Sequence, residues 1–268
     1  MDNVSAAALI DYFGQIDIFL VIFVRFLAFM LVLPIFSGLN IPTITKIIVS
    51  LSISVLVMTS GIVTIVEYTD NIVGYFILLM TEFINGLIIG FVIYFMFTIF
   101  YFVGQIVDYK LGFSMVSVFD PVMQLQVPIT GNLFYLMIML FFIITGGLNF
   151  SIEVIFDSYK IIPIGHSNII TESSRVLPYI IEIMMKYIEL GVLIALPIIG
   201  TIIIIDIALG LLVKAVPQMN IFVVGMPVKV FVGLLVLTII LPSLYEGYWL
   251  VFEKTTEYLG FILKEMSS

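Results

Sequence analysis

Residues 188–245 read IELGVLIALPIIGTIIIIDIALGLLVKAVPQMNIFVVGMPVKVFVGLLVLTIILPSLY, with Glu189, Asp206, Lys214 and Lys229 as the only charges. A helix needs about 20 predominantly apolar residues to cross a hydrocarbon core about 30 Å thick. Segments 188–213 and 220–245 each meet that length, and a tight turn around Pro217 and Gln218 joins them. Two apolar helices joined in this way are antiparallel neighbours. The reading that follows is an all-α membrane protein.

The rest of the chain repeats the pattern. Further apolar segments fall near 18–36, 47–66, 72–103 and 129–156, which makes about six long hydrophobic helices in a single membrane domain over 1–268. The third and fourth are long for a perpendicular span, so they are tilted or extend beyond the bilayer. The connections 37–46 and 67–71 are short, and the first three helices are therefore antiparallel neighbours. Residues 104–128 form a longer mixed loop, and the connection 159–186 is the most polar stretch, ending in an amphipathic piece at 177–187. The tail after Glu246 carries enough charge for a solvated or interfacial helix. The lysines and arginines around the first helix favour an outside N-terminus while the total over all loops favours the reverse, so the positive-inside rule assigns no orientation.

Composition points the same way. Hydrophobic residues make up 62% and charged residues 10% of the chain, against about 45–50% apolar and about 25% charged in soluble domains. With so few charges there is no polar skin, and lipid must solvate much of the surface. A net charge of −8 with ten unclustered Lys and Arg excludes a nucleic-acid partner. The absence of Cys removes disulfides, thiolate metal sites and thiol nucleophiles, and His166 is the only imidazole. No phosphate-binding glycine loop, zinc-protease helix or metal-spaced carboxylate cluster occurs, so no catalysis, cofactor or metal is expected. The start, Met1-Asp2-Asn3-Val4, has no basic residue, and the first cation is Arg25. The first apolar helix is thus expected to insert and stay rather than be removed as a signal peptide.

Ionisable residues in lipid are functional candidates, because an unpaired charge there costs roughly 2.5 kcal/mol or more. Four stand out: Arg25, Glu82, Asp206 and Lys229. Reflecting Asp206 through the turn at Pro217 and Gln218 lands on Lys229. Reflecting Arg25 through the first loop and again through 67–71 lands close to Glu82. Opposite charges therefore share a depth twice, which fits two ion pairs that fix helix register; a proton relay through the two carboxylates is the functional alternative. Beside Glu82, Asn85 can hydrogen-bond across helices, and Gly86 and Gly90 form a small-residue face for close helix packing.

The loop at 111–121, LGFSMVSVFDP, is the most informative connection. Gly104 and Gly112 loosen its backbone, and Asp120-Pro121 sets a turn. Between them lie Phe113, Ser114, Met115, Val116 and Phe119. Irregular backbone at membrane depth is tolerated only when buried in protein or lining a cavity. Flexible apolar side chains there suit either a constriction that seals against ions and yields to a bulky substrate, or a re-entrant packing loop.

The run ALGLLVKAVPQMNIFVVGMP at 208–227 closely resembles the hallmark of the FliR family of flagellar type III export-gate proteins, which has relatives in virulence secretion. Other matches follow in order: Arg25 with Pro34, Gly90, Gly112-Phe-Ser-Met115, Asp120-Pro121, residues 140–146, Pro163-Ile-Gly165 and Ala195-Leu-Pro197. The resemblance covers almost the whole chain. It implies helical hairpins that stack with partner subunits in a helical export-gate assembly, partly raised out of the membrane plane. It implies FliP-type and FliQ-type partners, an associated FlhB-type protein, and unfolded export substrates, at the flagellar basal body in the bacterial inner membrane. The family's pore plug falls on Gly112, Phe113, Ser114, Met115, Val116, Phe119, Asp120 and Pro121, with a departure at Val116, where relatives often carry a smaller residue. The turn at Pro217 and Gln218 is implied to pack against partner hairpins.

Three functions compete. The resemblance implies a protein-conducting gate subunit, flagellar rather than virulence-type, that is neither enzyme nor solute carrier. A proton-coupled secondary transporter would use Glu82 and Asp206, but its matched interrupted helices have no counterpart here, since 104–128 and 215–220 do not correspond in position. A purely structural scaffold differs from the gate only in whether substrate passes through it.

Overall fold

The computed structural model describes residues 6–38, 41–63, 71–113, 128–167, 175–216 and 221–267. These form eight α-helices: α1 (Ala6–Val32), α2 (Pro34–Gly38), α3 (Thr43–Thr59), α4 (Ile72–Leu111), α5 (Ile129–Ile144), α6 (Gly147–Ile161), α7 (Val176–Ala215) and α8 (Ile221–Ser267). Three of them, α4, α7 and residues Val223–Ser267 of α8, are long and apolar enough to cross a bilayer. The α5 and α6 pair meets the same standard together but is bent by 72°, as in a broken span or a re-entrant loop. The protein is an all-α membrane protein.

Local chemistry explains where the helices break. Pro34 has no N–H to donate and disfavours helical backbone at the residue before it. Helix α1 accordingly stops at Val32, and Pro34 opens α2 at the first helical position, where proline fits. The apolar run 129–156, which reads as one helix, is split because Gly146 adopts φ +80°. Left-handed backbone after the last helical residues is the usual way to end a helix, and glycine reaches it without a Cβ penalty. Thr145 completes the stop by returning its hydroxyl to the Phe141 carbonyl at 2.8 Å.

Elsewhere the helices exceed the sequence boundaries. α4 continues past 103 to Leu111 and α7 begins at Val176 rather than 188. α8 runs on from 245 to Ser267. That extension is amphipathic: Tyr248, Val251, Thr255, Tyr258, Ile262 and Met266 are buried at helical spacing while Glu253, Glu257 and Lys264 are exposed. At about 1.5 Å per residue, the 40 residues of α4 and of α7 reach about 60 Å, twice the hydrocarbon thickness.

The chain divides into two compact units. The first comprises residues up to Tyr94, Gly146–Ile183 and the chain from Thr255. In it α1 packs on α3, and Ile22, Phe26, Phe29, Ile89, Ile93 and Ile155 are fully buried or nearly so. The second comprises Phe95–Thr145 and Met184–Lys254. Its core is aromatic: Phe97 meets Phe142 edge-on at 5.1 Å, Phe141 meets Tyr245 at 5.3 Å, and the Thr145 hydroxyl bonds to that of Tyr248.

Candidate functional site

In the first unit the polar residues converge on Arg25, which is completely buried on α1. Its Nε donates to Oε2 of the equally buried Glu82 on α4, forming an ion pair. Nη1 donates to the Ser158 hydroxyl at 3.3 Å and Nη2 to the Ile162 carbonyl at 3.0 Å. The guanidinium carbon lies 4.3 Å from the centre of the Tyr159 ring, a cation–π distance. Tyr159 in turn donates its hydroxyl to the Ile22 carbonyl at 2.8 Å.

Glu82 is equally occupied. Besides Arg25 it accepts the Asn85 amide at 3.3 Å and the Gly165 backbone N–H at 3.4 Å, while Ser167 donates to Asn85 Oδ1 at 2.8 Å. A planar guanidinium with five donors suits a site where several acceptors surround one buried cation. The network joins α1, α4, α6 and the segment after α6: the two charges offset each other, and hydrogen bonds with neutral groups surround both.

Glycine brings these helices within reach. A Cβ on Gly86, one turn beyond Glu82, would fall onto the Arg25 carbonyl oxygen, and one on Gly90 would meet the Phe29 carbonyl at 3.1 Å. The bare backbone of α4 therefore lies directly on α1, which lets the Arg25 side chain reach Glu82.

The second unit holds the other charge pair. Lys229 Nζ on α8 contacts Asp206 Oδ1 on α7, with the side chains 28% and 41% exposed. Around it α7 and α8 present Ile203, Ile204, Ile207, Val228, Phe231 and Leu234 outward. The same unit contains a buried carboxylate that sequence reasoning passed over. Asp108 accepts the backbone N–H groups of Thr130 and Gly131 at the start of α5.

The structure thus brings Arg25 to Glu82, with Asn85 and Gly86 alongside, and Asp206 to Lys229. Of the loop candidates, Gly112 and Phe113 are described: Gly112 donates its N–H to the Tyr109 carbonyl at 3.3 Å and has φ +85°, so it ends α4. Ser114, Met115, Val116, Phe119, Asp120 and Pro121 lie outside the described residues, as do Pro217 and Gln218. Ser158, Tyr159, Gly165 and Asp108 were not singled out from sequence. Only Gly165, inside the Pro163-Ile-Gly165 match, carried a signal that could have found it.

Fold and site together define an integral membrane protein whose buried charges bind its helices to one another. The chain belongs to the bacterial export proteins, family 1, whose model matches residues 16–255. It is 26% identical over 257 residues to the flagellar biosynthetic protein FliR of Bacillus subtilis, covering 96% of this chain and 97% of the relative. Against the FliR of Borreliella burgdorferi the identity is 29% over 247 residues, with 92% and 90% covered. The surface presentation of antigens protein SpaR of Shigella flexneri is 28% identical over 255 residues, with 93% and 94% covered.

Proposed function

We propose that the chain is a subunit of a flagellar type III protein export gate in the bacterial inner membrane, within the basal body. With FliP-type and FliQ-type subunits, and an FlhB-type protein associated, it forms a channel for unfolded flagellar proteins. The observation that carries this reading is the match to flagellar FliR proteins over 96% and 92% of the chain. The outward faces of α7 and α8 support it. Only 22% and 17% of their most apolar windows are buried within the chain. At about 1.5 Å per residue, the 40 residues of α7 and the 47 of α8 reach about 60 and about 70 Å, so both outrun the bilayer and offer surface to partner subunits as well as to lipid.

In this reading residues 112–121 are the plug. Phe113, Met115, Val116 and Phe119 supply the seal, while Gly112, Ser114, Asp120 and Pro121 supply the bend. Pro217 and Gln218 turn the α7–α8 hairpin against a partner. Arg25, Glu82, Asn85, Gly86 and Gly90 fix α1 against α4, and Asp206 with Lys229 sets the register of α7 against α8. A virulence-type gate is the second reading, favoured by the similarity to SpaR. Partnering of Glu82 by Arg25, Asn85 and Gly165 weighs against a proton-coupled transporter, since a relay carboxylate must exchange protons freely.

Co-purification in mild detergent tests the proposal. A tagged chain expressed with FliP-type and FliQ-type proteins is expected to yield one large stable complex that neither partner supports alone. A well-behaved monomer that ignores both partners would sink it.

A further inference from the structure

We infer that Asp108, with Gly104 and Gly131, forms a clasp that positions the plug-bearing segment by joining the end of α4 to the start of α5. Its functional consequence rests on residues 112–121 being the plug; the clasp itself does not.

Helix α5 begins after Pro128, which makes no side-chain cap. A helix start leaves its first N–H groups without intrahelical partners, and inside a protein they need acceptors. Asp108, 22 residues upstream, supplies them. Its two oxygens receive the Thr130 N–H at 3.1 and 3.0 Å, and Oδ2 also receives that of Gly131 at 3.3 Å. Asp108 and Thr130 are only 4% and 3% exposed, so water does not compete for these bonds. Among the described residues no cation pairs with Asp108. The positive end of the α5 dipole is what balances its charge there.

One turn earlier on the same face of α4, Gly104 makes the second point of the clasp. A Cβ on Gly104 would fall onto the Gly131 backbone, and a Cβ on Gly131 would meet the Tyr101 carbonyl at 3.1 Å. Backbone therefore touches backbone at 104 and 131, and a carboxylate grips amides at 108 and 130. The last turns of α4 and the first turn of α5 are thereby held together. Asp108 is a positioning residue: it acts by holding the end of α4 to the start of α5.

Because the chain contains no Cys, Phe113→Cys introduces a single thiol, used for the labelling alone; exchange and leak are measured with Phe113 in place. In the assembled complex, three quantities are measured with Asp108, Asp108→Asn and Asp108→Ala. These are amide exchange of the peptide that begins α5, labelling of Cys at 113 by an impermeant maleimide, and passive ion leak of vesicles. The expected result is about fivefold faster exchange in the alanine variant, the usual loss for a cap removed. Labelling and leak should rise with it, and asparagine, which keeps one acceptor, should fall between. Unchanged exchange and labelling in an assembled Asp108→Ala complex would overturn the clasp. If that variant does not assemble, the asparagine variant decides by the same criterion. Faster exchange and labelling without added leak would leave the clasp standing and remove the plug role from 112–121.

Discussion

The Arg25–Glu82 pair and the Asp206–Lys229 pair obey the same rule, opposite charges at matching positions on two helices, yet they are built for different surroundings. The first is fully buried and surrounded by donors and acceptors from four further residues, Ser158, Ile162, Asn85 and Gly165. The second is 28% and 41% exposed on an otherwise apolar face. Residue choice follows burial. A buried cation must satisfy several acceptors in fixed directions, which a guanidinium does, whereas an ammonium on a flexible stem suits a site still open to solvent or a partner. A charge pair read from sequence thus says which helices meet. Its neighbours say whether it belongs to the chain's own core or to a surface awaiting cover.

The comparison breaks most readily at Glu82. Removing one member of a buried ion pair strands the other, at a cost of about 3–5 kcal/mol. Glu82→Ala and Arg25→Ala should each abolish recovery of monodisperse protein in mild detergent. The double change Arg25→Met with Glu82→Leu should recover part of the loss, because no charge is left unpaired. Equal behaviour of the single and double variants in a size-exclusion and thermal-melting series would mean that the pair is not the unit of stabilisation.

The glycines one turn beyond each acid sharpen the contrast. Gly86 follows Glu82 by four residues, and its Cβ would overlap the Arg25 carbonyl; Gly210 follows Asp206 by four, and its Cβ would meet nothing within 4 Å. Gly86→Ala must push α4 off α1, and overpacking of this kind costs about 1–3 kcal/mol. Gly210→Ala relieves a helix of its most flexible residue and should raise the melting midpoint of the isolated chain, with a gain of up to about 1 kcal/mol. If Gly210→Ala stabilises the chain alone yet blocks complex formation, a partner backbone approaches at Gly210.

How far these features were legible depended on the kind of signal. Depth reflection through short turns depends only on chain length, so it placed Arg25 with Glu82 and Asp206 with Lys229 side by side. Glycine was ambiguous. Gly104 read as a loosened loop, but in the structure it is helical and permits contact with Gly131. Cutting α4 there moved Asp108 into a loop and hid its role as a cap. Gly146 read as part of an unbroken apolar run, since hydropathy carries no information about φ, and the 72° bend it permits was missed. The end of α8 was hidden for a third reason: its charges fit a solvated or interfacial helix, while the buried stripe from Tyr248 to Met266 extends the helix already begun.

The smallest effect is the most informative about assembly. Asp206→Ala or Lys229→Ala in the isolated chain should cost about 0.2–1 kcal/mol, the range for partly exposed pairs, because detergent and water still reach both groups. A double-mutant cycle removes the contributions each residue makes without the other. If partner subunits cover the outward face of α7 and α8, the same pair loses its solvent on assembly and its attraction is less screened. The coupling energy measured on the assembled complex should then exceed that of the chain alone and lose its dependence on salt. A coupling equal in both settings would mean that the Asp206–Lys229 face stays open after assembly, and that cover for α7 and α8 comes from elsewhere.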